Sequence, residues 1–182
     1  KLQEVTLAEA LQAGGYQTGF LGKWHLSGTN ESRLPNEQGF DVNVAGGWWG
    51  HPRGGYFSPY NMFALENGPK GEYLTDRLTS EAIQVMDDFS QQDKPWLLYM
   101  SYYTVHAPFH AKPEKTKKYE AKAREADVER FNSRYAGMVE SLDENVGRLL
   151  QWLSERGLRE NTVIVFTSDN GGHMPATSNR PL

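Results

Sequence analysis

Trp96-Leu97-Leu98-Tyr99-Met100-Ser101-Tyr102 and Thr162-Val163-Ile164-Val165-Phe166-Thr167 are the two stretches that decide the fold. Each is a continuous apolar run of strand length, as a strand buried on both faces of a parallel sheet would be. A third β-prone run, Tyr16-Gln17-Thr18-Gly19-Phe20-Leu21, precedes them. Helical periods lie between. Leu74, Leu78, Ala82, Val85, Met86 and Phe89 make one amphipathic face, which Asp93-Lys94-Pro95 ends. Val128, Phe131, Tyr135, Met138, Leu142, Val146, Leu149 and Leu153 recur every three or four residues until Gly157. At the start, Thr6-Leu7-Ala8-Glu9 reads as a capping box, and Gly14-Gly15 as a left-handed stop. Helices alternating with apolar strands predict an α/β fold with a largely parallel sheet.

Two segments stand apart from this alternation. Residues 27–71 are rich in Gly, Pro and Asn, with Trp48, Trp49, Tyr56, Phe57, Tyr60 and Phe63 interleaved. So long a stretch without periodicity exceeds the usual connection of about 4–6 residues and predicts a functional loop region. Its aromatic content argues against a disordered linker. The charged stretch from Lys112 to Glu129 predicts a solvated surface.

Composition narrows the function. The 182 residues hold 19 Lys+Arg against 23 Asp+Glu, a formal net charge of −4. That mixed, mildly acidic balance argues against a protein built to grip nucleic acid or an anionic membrane. No apolar run approaches the ~18 residues of a bilayer span, and Lys1-Leu2-Gln3-Glu4 lacks the apolar core of a signal peptide. There is no cysteine, which excludes disulfides and thiolate metal sites.

Each apolar strand runs into a polar cluster: Lys23 and His25, then His106, then Asp169 and Asn170. Ligands in open α/β sheets bind beyond the carboxyl ends of the strands. Asp and Asn oxygens are hard donors suited to Ca²⁺ or Mg²⁺. In extended backbone Lys23 and His25 would point to one side and Trp24 to the other. Histidines can move protons near neutral pH. A cation, a lysine and acid–base histidines together suit transfer or hydrolysis of a phosphate or sulfate ester.

Each residue also has a plainer reading. Lys23 alone reads as a surface lysine, His106 before Ala-Pro as a strand cap, and Asp169-Asn170-Gly171 as a turn. The aromatics from Trp48 to Phe63 could be local packing, and His51, His110 and His173 ordinary loop residues. The convergence of five candidates on three strand ends favours the site. No Walker A loop, HExxH or GxSxG is present. Asn30-Glu31-Ser32 is a glycosylation sequon, informative only in a secreted eukaryotic protein.

Thr6-Leu7-Ala8-Glu9 followed by Gly15-Tyr16-Gln17-Thr18-Gly19-Phe20-Leu21-Gly22-Lys23-Trp24-His25-Leu26 resembles the second signature of the type I sulfatases. Gln38-Gly39-Phe40-Asp41 resembles the segment that follows it. Val105-His106-Ala107-Pro108 resembles the family's strand-end histidine, and Ser168-Asp169-Asn170-Gly171 its second metal-binding strand. The resemblance implies an alkaline-phosphatase-like α/β sandwich. It implies that Lys23 contacts the sulfate, His25 hydrogen-bonds the nucleophile's oxygen and His106 meets the bridging ester oxygen. Asp169 and Asn170 would bind the cation, usually calcium, with magnesium possible. The nucleophile implied is a hydrated formylglycine attacking sulfur.

That nucleophile arises in a C/S-x-P-x-R motif upstream of Gly22-Lys23-Trp24-His25, and no such motif occurs here. Ser32-Arg33-Leu34-Pro35 and Ser178-Asn179-Arg180-Pro181 have the wrong spacing. The upstream metal-binding aspartates and the smaller C-terminal subdomain of the family are likewise without counterparts. The expectation is that residues 1–182 are the central part of an N-terminal catalytic sulfatase domain, inactive and poorly soluble alone. The parent would hydrolyse sulfate monoesters, with a sulfated carbohydrate favoured because Trp48, Trp49 and His51 could border the pocket. Alternatives are a phosphomonoester, phosphodiester or phosphonate hydrolase of the same superfamily, and a non-catalytic sulfate- or glycan-binding relative. The family resemblance implies a periplasmic, secreted or lysosomal setting.

Overall fold

The computed structural model describes residues 3–28, 33–125, 132–174 and 176–179. The sequon Asn30-Glu31-Ser32, the helix positions Val128 and Phe131, and Arg180-Pro181 lie outside the described residues. The chain divides into two compact units, Lys1–Pro108 and Phe109–Leu182.

The first unit is built on a parallel sheet in the order β2-β1-β3: β1 Gln17–Gly22, β2 Val42–Val44 and β3 Trp96–Ser101. Helix α1 (Leu7–Ala13) starts as the sequence predicts. The Thr6 hydroxyl accepts from the Glu9 amide at 3.0 Å, and the Glu9 carboxylate accepts from the Thr6 amide at 2.7 Å. Gly15, at φ +86°, turns the chain into β1. Only β1 is buried along its whole length. Its side chains alternate between two layers. Phe20 faces Ala8 of α1, Phe40 and Trp24. On the other side Gly19 leaves room for Val85 and Phe89 of α2 (Leu74–Ser90), whose atoms lie within 3.3 Å of where a Cβ would stand. The apolar face of α2 read from the sequence is the buried one.

Two expectations change here. Strand β3 is half-exposed, with Tyr99 at 48% exposure, because among the described residues only one side of it is paired. Within residues 27–71 the chain makes a 3₁₀ turn at Pro35–Gln38 and then β2, a strand too short to show a period. The remainder of that region is ordered around buried Tyr56 and Tyr60.

In the second unit, α3 (Pro113–Glu125) lies along α4 (Ser133–Glu155). The charged stretch from Lys112 is therefore not wholly solvated. Lys115 is buried and reaches Glu144 at 2.5 Å and Glu140 at 3.1 Å. Gly137 allows this approach, since a Cβ there would stand 3.1 Å from the Cβ atoms of Ala111 and Lys115. The predicted buried strand at 162–167 is not found. No strand pairs with that segment among the described residues, so its apolar side chains stay in water: Val163 is 92% and Val165 81% exposed. No helix among the described residues is long and apolar enough to cross a membrane.

Candidate active site at the strand ends

Strand β1 ends in a turn that only glycine can make. Gly22 sits at φ +103°, and a Cβ on it would stand 1.8 Å from the Ser101 carbonyl oxygen. The close approach lets the Lys23 amide donate to the Ser101 carbonyl at 2.7 Å. In return the Ser101 hydroxyl donates to the Lys23 carbonyl at 2.8 Å. Lys23 is thereby fixed at the mouth of the sheet, half-buried. Trp24 turns inward against Phe20 and Phe40, and its indole N–H donates to the Arg33 carbonyl at 2.7 Å.

The strand alternation does not continue through His25, contrary to the extended reading of Lys23-Trp24-His25. His25 is left-handed at φ +58°, and its amide donates to the Gly47 carbonyl at 3.0 Å. Its ring lies directly over Gly50: a Cβ there would stand 2.4 Å from imidazole atoms of His25. The exposed imidazole is thus placed by the Gly47–His51 loop, not by the strand.

The same loop reaches His106. The rings of His51 and His106 are stacked, 6.3 Å between centroids and 20° between planes. Trp49 meets His51 edge-on at 6.0 Å, while Trp48 lies against Phe63 at 5.3 Å. His106 is held from behind. The Tyr56 hydroxyl lies 2.7 Å from the Tyr103 carbonyl and 2.9 Å from the His106 carbonyl. Burial pushes the Tyr56 phenol well above its usual range, so it stays a donor. Nδ1 of His106 is 2.7 Å from the Ala107 carbonyl. A carbonyl oxygen can only accept, so Nδ1 carries the proton and Nε2 is left for a ligand.

The first unit thus gathers Lys23, His25, Trp49, His51 and His106 around two strand ends and one loop. Asp169 and Asn170 belong to the second unit, in an exposed turn where the Ser168 hydroxyl donates to the Asn170 carbonyl. Their carboxylate and amide oxygens fit a hard cation as part of a ligand set. No group of three or more His, Cys, Asp or Glu side chains suited to a metal occurs among the described residues. A separate concavity lined by Val44, Met62, Leu65, Glu66, Arg77 and Glu81 contains none of the candidates, and its Arg77 is already paired with Glu72 and Glu81.

Sequence reasoning missed Tyr56 and Arg53. Tyr56 acts through backbone carbonyls some fifty positions away, and no local pattern signals that. Arg53 follows Trp49 by four residues and stacks on it, its guanidinium carbon 4.8 Å from the ring centre. An arginine close to a tryptophan in a loop was a readable signal.

A parallel sheet covered by helices, with lysine and histidines beyond its strand ends, defines an α/β protein whose polar side chains collect where such sheets bind ligands. The chain belongs to the sulfatase family, whose model, described as Sulfatase, matches residues 1–181. It is 32% identical to the uncharacterized sulfatase YdeN of Escherichia coli K12, over 93% of this chain and 33% of that protein. It is 30% identical to an ulvan-active sulfatase of Formosa agariphila, over 99% of this chain and 38% of the relative. Among solved structures it is similar to Ps i-CgsB in complex with k-i-k-neocarrahexaose. The TM-score is 0.78 at 29% identity, covering 99% of this chain and 43% of that one. The chain therefore spans a third to under half the length of these relatives. The alkaline-phosphatase-like α/β architecture implied by the resemblance is the architecture these structures share with it.

Proposed function

We propose that this chain is the central part of a sulfuric ester hydrolase that removes sulfate from a carbohydrate. The observation that carries the reading is that Lys23 leaves the sheet at the end of β1 while the Gly47–His51 loop places His25 and meets His106. Two similar proteins support the choice of substrate class: one is described as ulvan-active, the other was solved with a carrageenan-type oligosaccharide.

In this reading the Lys23 ammonium binds the non-bridging sulfate oxygens, where negative charge accumulates as the ester S–O bond breaks. His106 presents Nε2 to the bridging oxygen. As the imidazolium it donates the proton that the departing alkoxide needs. His25 hydrogen-bonds the nucleophile's oxygen. Asp169 and Asn170, in the second unit, would supply oxygen ligands to a calcium ion, whose chemistry would be that of a Lewis acid. The nucleophile, a formylglycine, lies outside these 182 residues.

The test is sulfate release by the complete gene product from an aryl sulfate and from sulfated oligosaccharides. Lys23→Ala and His106→Ala should each lower kcat/KM by about 100-fold or more. A complete protein that cleaves phosphate or phosphonate esters faster than sulfate esters would overturn the reading.

A further inference from the structure

We propose that Trp49, His51 and Arg53 form a subsite for a second anionic group, a sulfate or carboxylate, on a polyanionic saccharide. This deepens the sulfatase reading and rests on it for the position of the scissile ester.

Arg53 carries the inference. It is exposed, and among the described residues it has no carboxylate partner. Among the described residues its side chain stacks on Trp49. A guanidinium lying on an aromatic face keeps its N–H edge directed outward. That planar fork matches the paired oxygens of a carboxylate or sulfate. A long side chain would ordinarily lose rotamer freedom on binding such a group. Here much of that ordering is already present, because the stack holds the charge in place.

The turn that carries Arg53 is itself anchored. The Gly55 amide donates to the Pro52 carbonyl at 2.9 Å, and the Gly54 amide to the carbonyl of buried Tyr60 at 3.1 Å. A Cβ on Gly54 would collide with that carbonyl oxygen at 2.5 Å, so the turn is built for this close approach. His51 completes the surface. It is exposed, contacts Trp49 edge-on, and stacks on His106, the residue placed at the ester oxygen. Arg53, Trp49, His51 and His106 therefore form a continuous path from an unpaired cation to the reaction centre. A monosulfated aryl ester would use only the His106 end of it. A saccharide with a further charge on the same or the adjoining sugar would use the whole path.

The experiment compares the complete gene product with its Arg53→Ala and Arg53→Lys variants. The substrates are 4-nitrophenyl sulfate and a multiply sulfated galactan hexasaccharide. Arg53→Ala should raise KM for the hexasaccharide about tenfold more than for the aryl ester, equivalent to ~1.4 kcal/mol. The lysine variant should recover part of that loss, since it restores the charge without the fork. Titration calorimetry with the hexasaccharide should show the same order, whether or not the sugar is turned over. Equal effects on both substrates, or hexasaccharide binding unchanged by Arg53→Ala, would overturn the subsite. Binding that depends on Arg53 without any sulfate release would leave the subsite standing and sink the hydrolase reading instead.

Discussion

Lys23 and Ser101 are tied together twice. The amide of the first donates to the carbonyl of the second, and the hydroxyl of the second donates back to the carbonyl of the first. The ends of β1 and β3 are thus locked in register at the point where the candidate lysine leaves the sheet. Ser101→Ala removes one of the two bonds and should cost ~1 kcal/mol in denaturant unfolding of the complete protein. Gly22→Ala places a methyl group against the Ser101 carbonyl on a left-handed backbone. It should cost several times more, or leave no soluble protein. If the two variants unfold alike, the strand ends are not locked in this way.

Asp41 extends the pairing of β2 with β1 by one step at its start. Its carboxylate accepts from the Thr18 amide at 2.9 Å, and its own amide donates to the Thr18 carbonyl at 2.9 Å. Thr18 is fully buried. Asp41→Ala would leave that amide without its acceptor and should destabilise by about 1–3 kcal/mol. Asp41→Asn keeps an oxygen acceptor and should cost less. Equal losses would mean that the charge, not the acceptor, is what Thr18 requires.

Local rules made some of this legible and long-range geometry hid the rest. Thr6 and Glu9 announce α1 because a capping box is closed within four residues. Lys23 and His106 stand out because an apolar run stops at a polar residue, and the parallel register of β1 with β3 brings those ends to one side. The conformation of His25 was not readable, since it is set by Gly47 and Gly50 in a distant loop. Nor was the edge position of β3. An apolar run records how hydrophobic a strand is, while pairing decides how much of it is covered. Lys115 looked solvated for the same reason, its partners Glu140 and Glu144 lying on another helix.

The apolar segment 162–167 has a consequence in solution. Val163, Val165 and Phe166 are at least three-quarters exposed, in β-branched and aromatic sequence with no strand beside it among the described residues. Such a segment is a template for intermolecular pairing. The isolated 182-residue chain should therefore self-associate in size-exclusion chromatography with light scattering. Val163→Lys with Val165→Lys should shift it toward monomer. Monodisperse behaviour of the unmodified chain would show that this segment is not the cause.

The α3–α4 pair should loosen in acid over a defined range. Glu140 accepts from Lys118 at 2.8 Å and pairs with Lys115 at 3.1 Å. Lys118 first and then Lys115 hold its carboxyl down to about 2 from an ordinary 4.5, against the opposing effect of desolvation. The folded state thus takes up this proton less readily than the unfolded chain. The stabilisation is fully present above about pH 4.5 and is lost as the pH falls toward about 2. Hydrogen exchange of the α3 amides should accelerate across that window in the complete protein. Glu140→Gln cannot titrate, so its α3 amides should exchange faster above the window and show no further acid step within it. Lys115→Met should be worse tolerated than Glu140→Gln, because it takes a cation from two carboxylates at once, leaving Glu140 with Lys118 alone and Glu144 without its Lys115 contact. An acid step that persists in Glu140→Gln would assign the transition to other carboxylates of the chain.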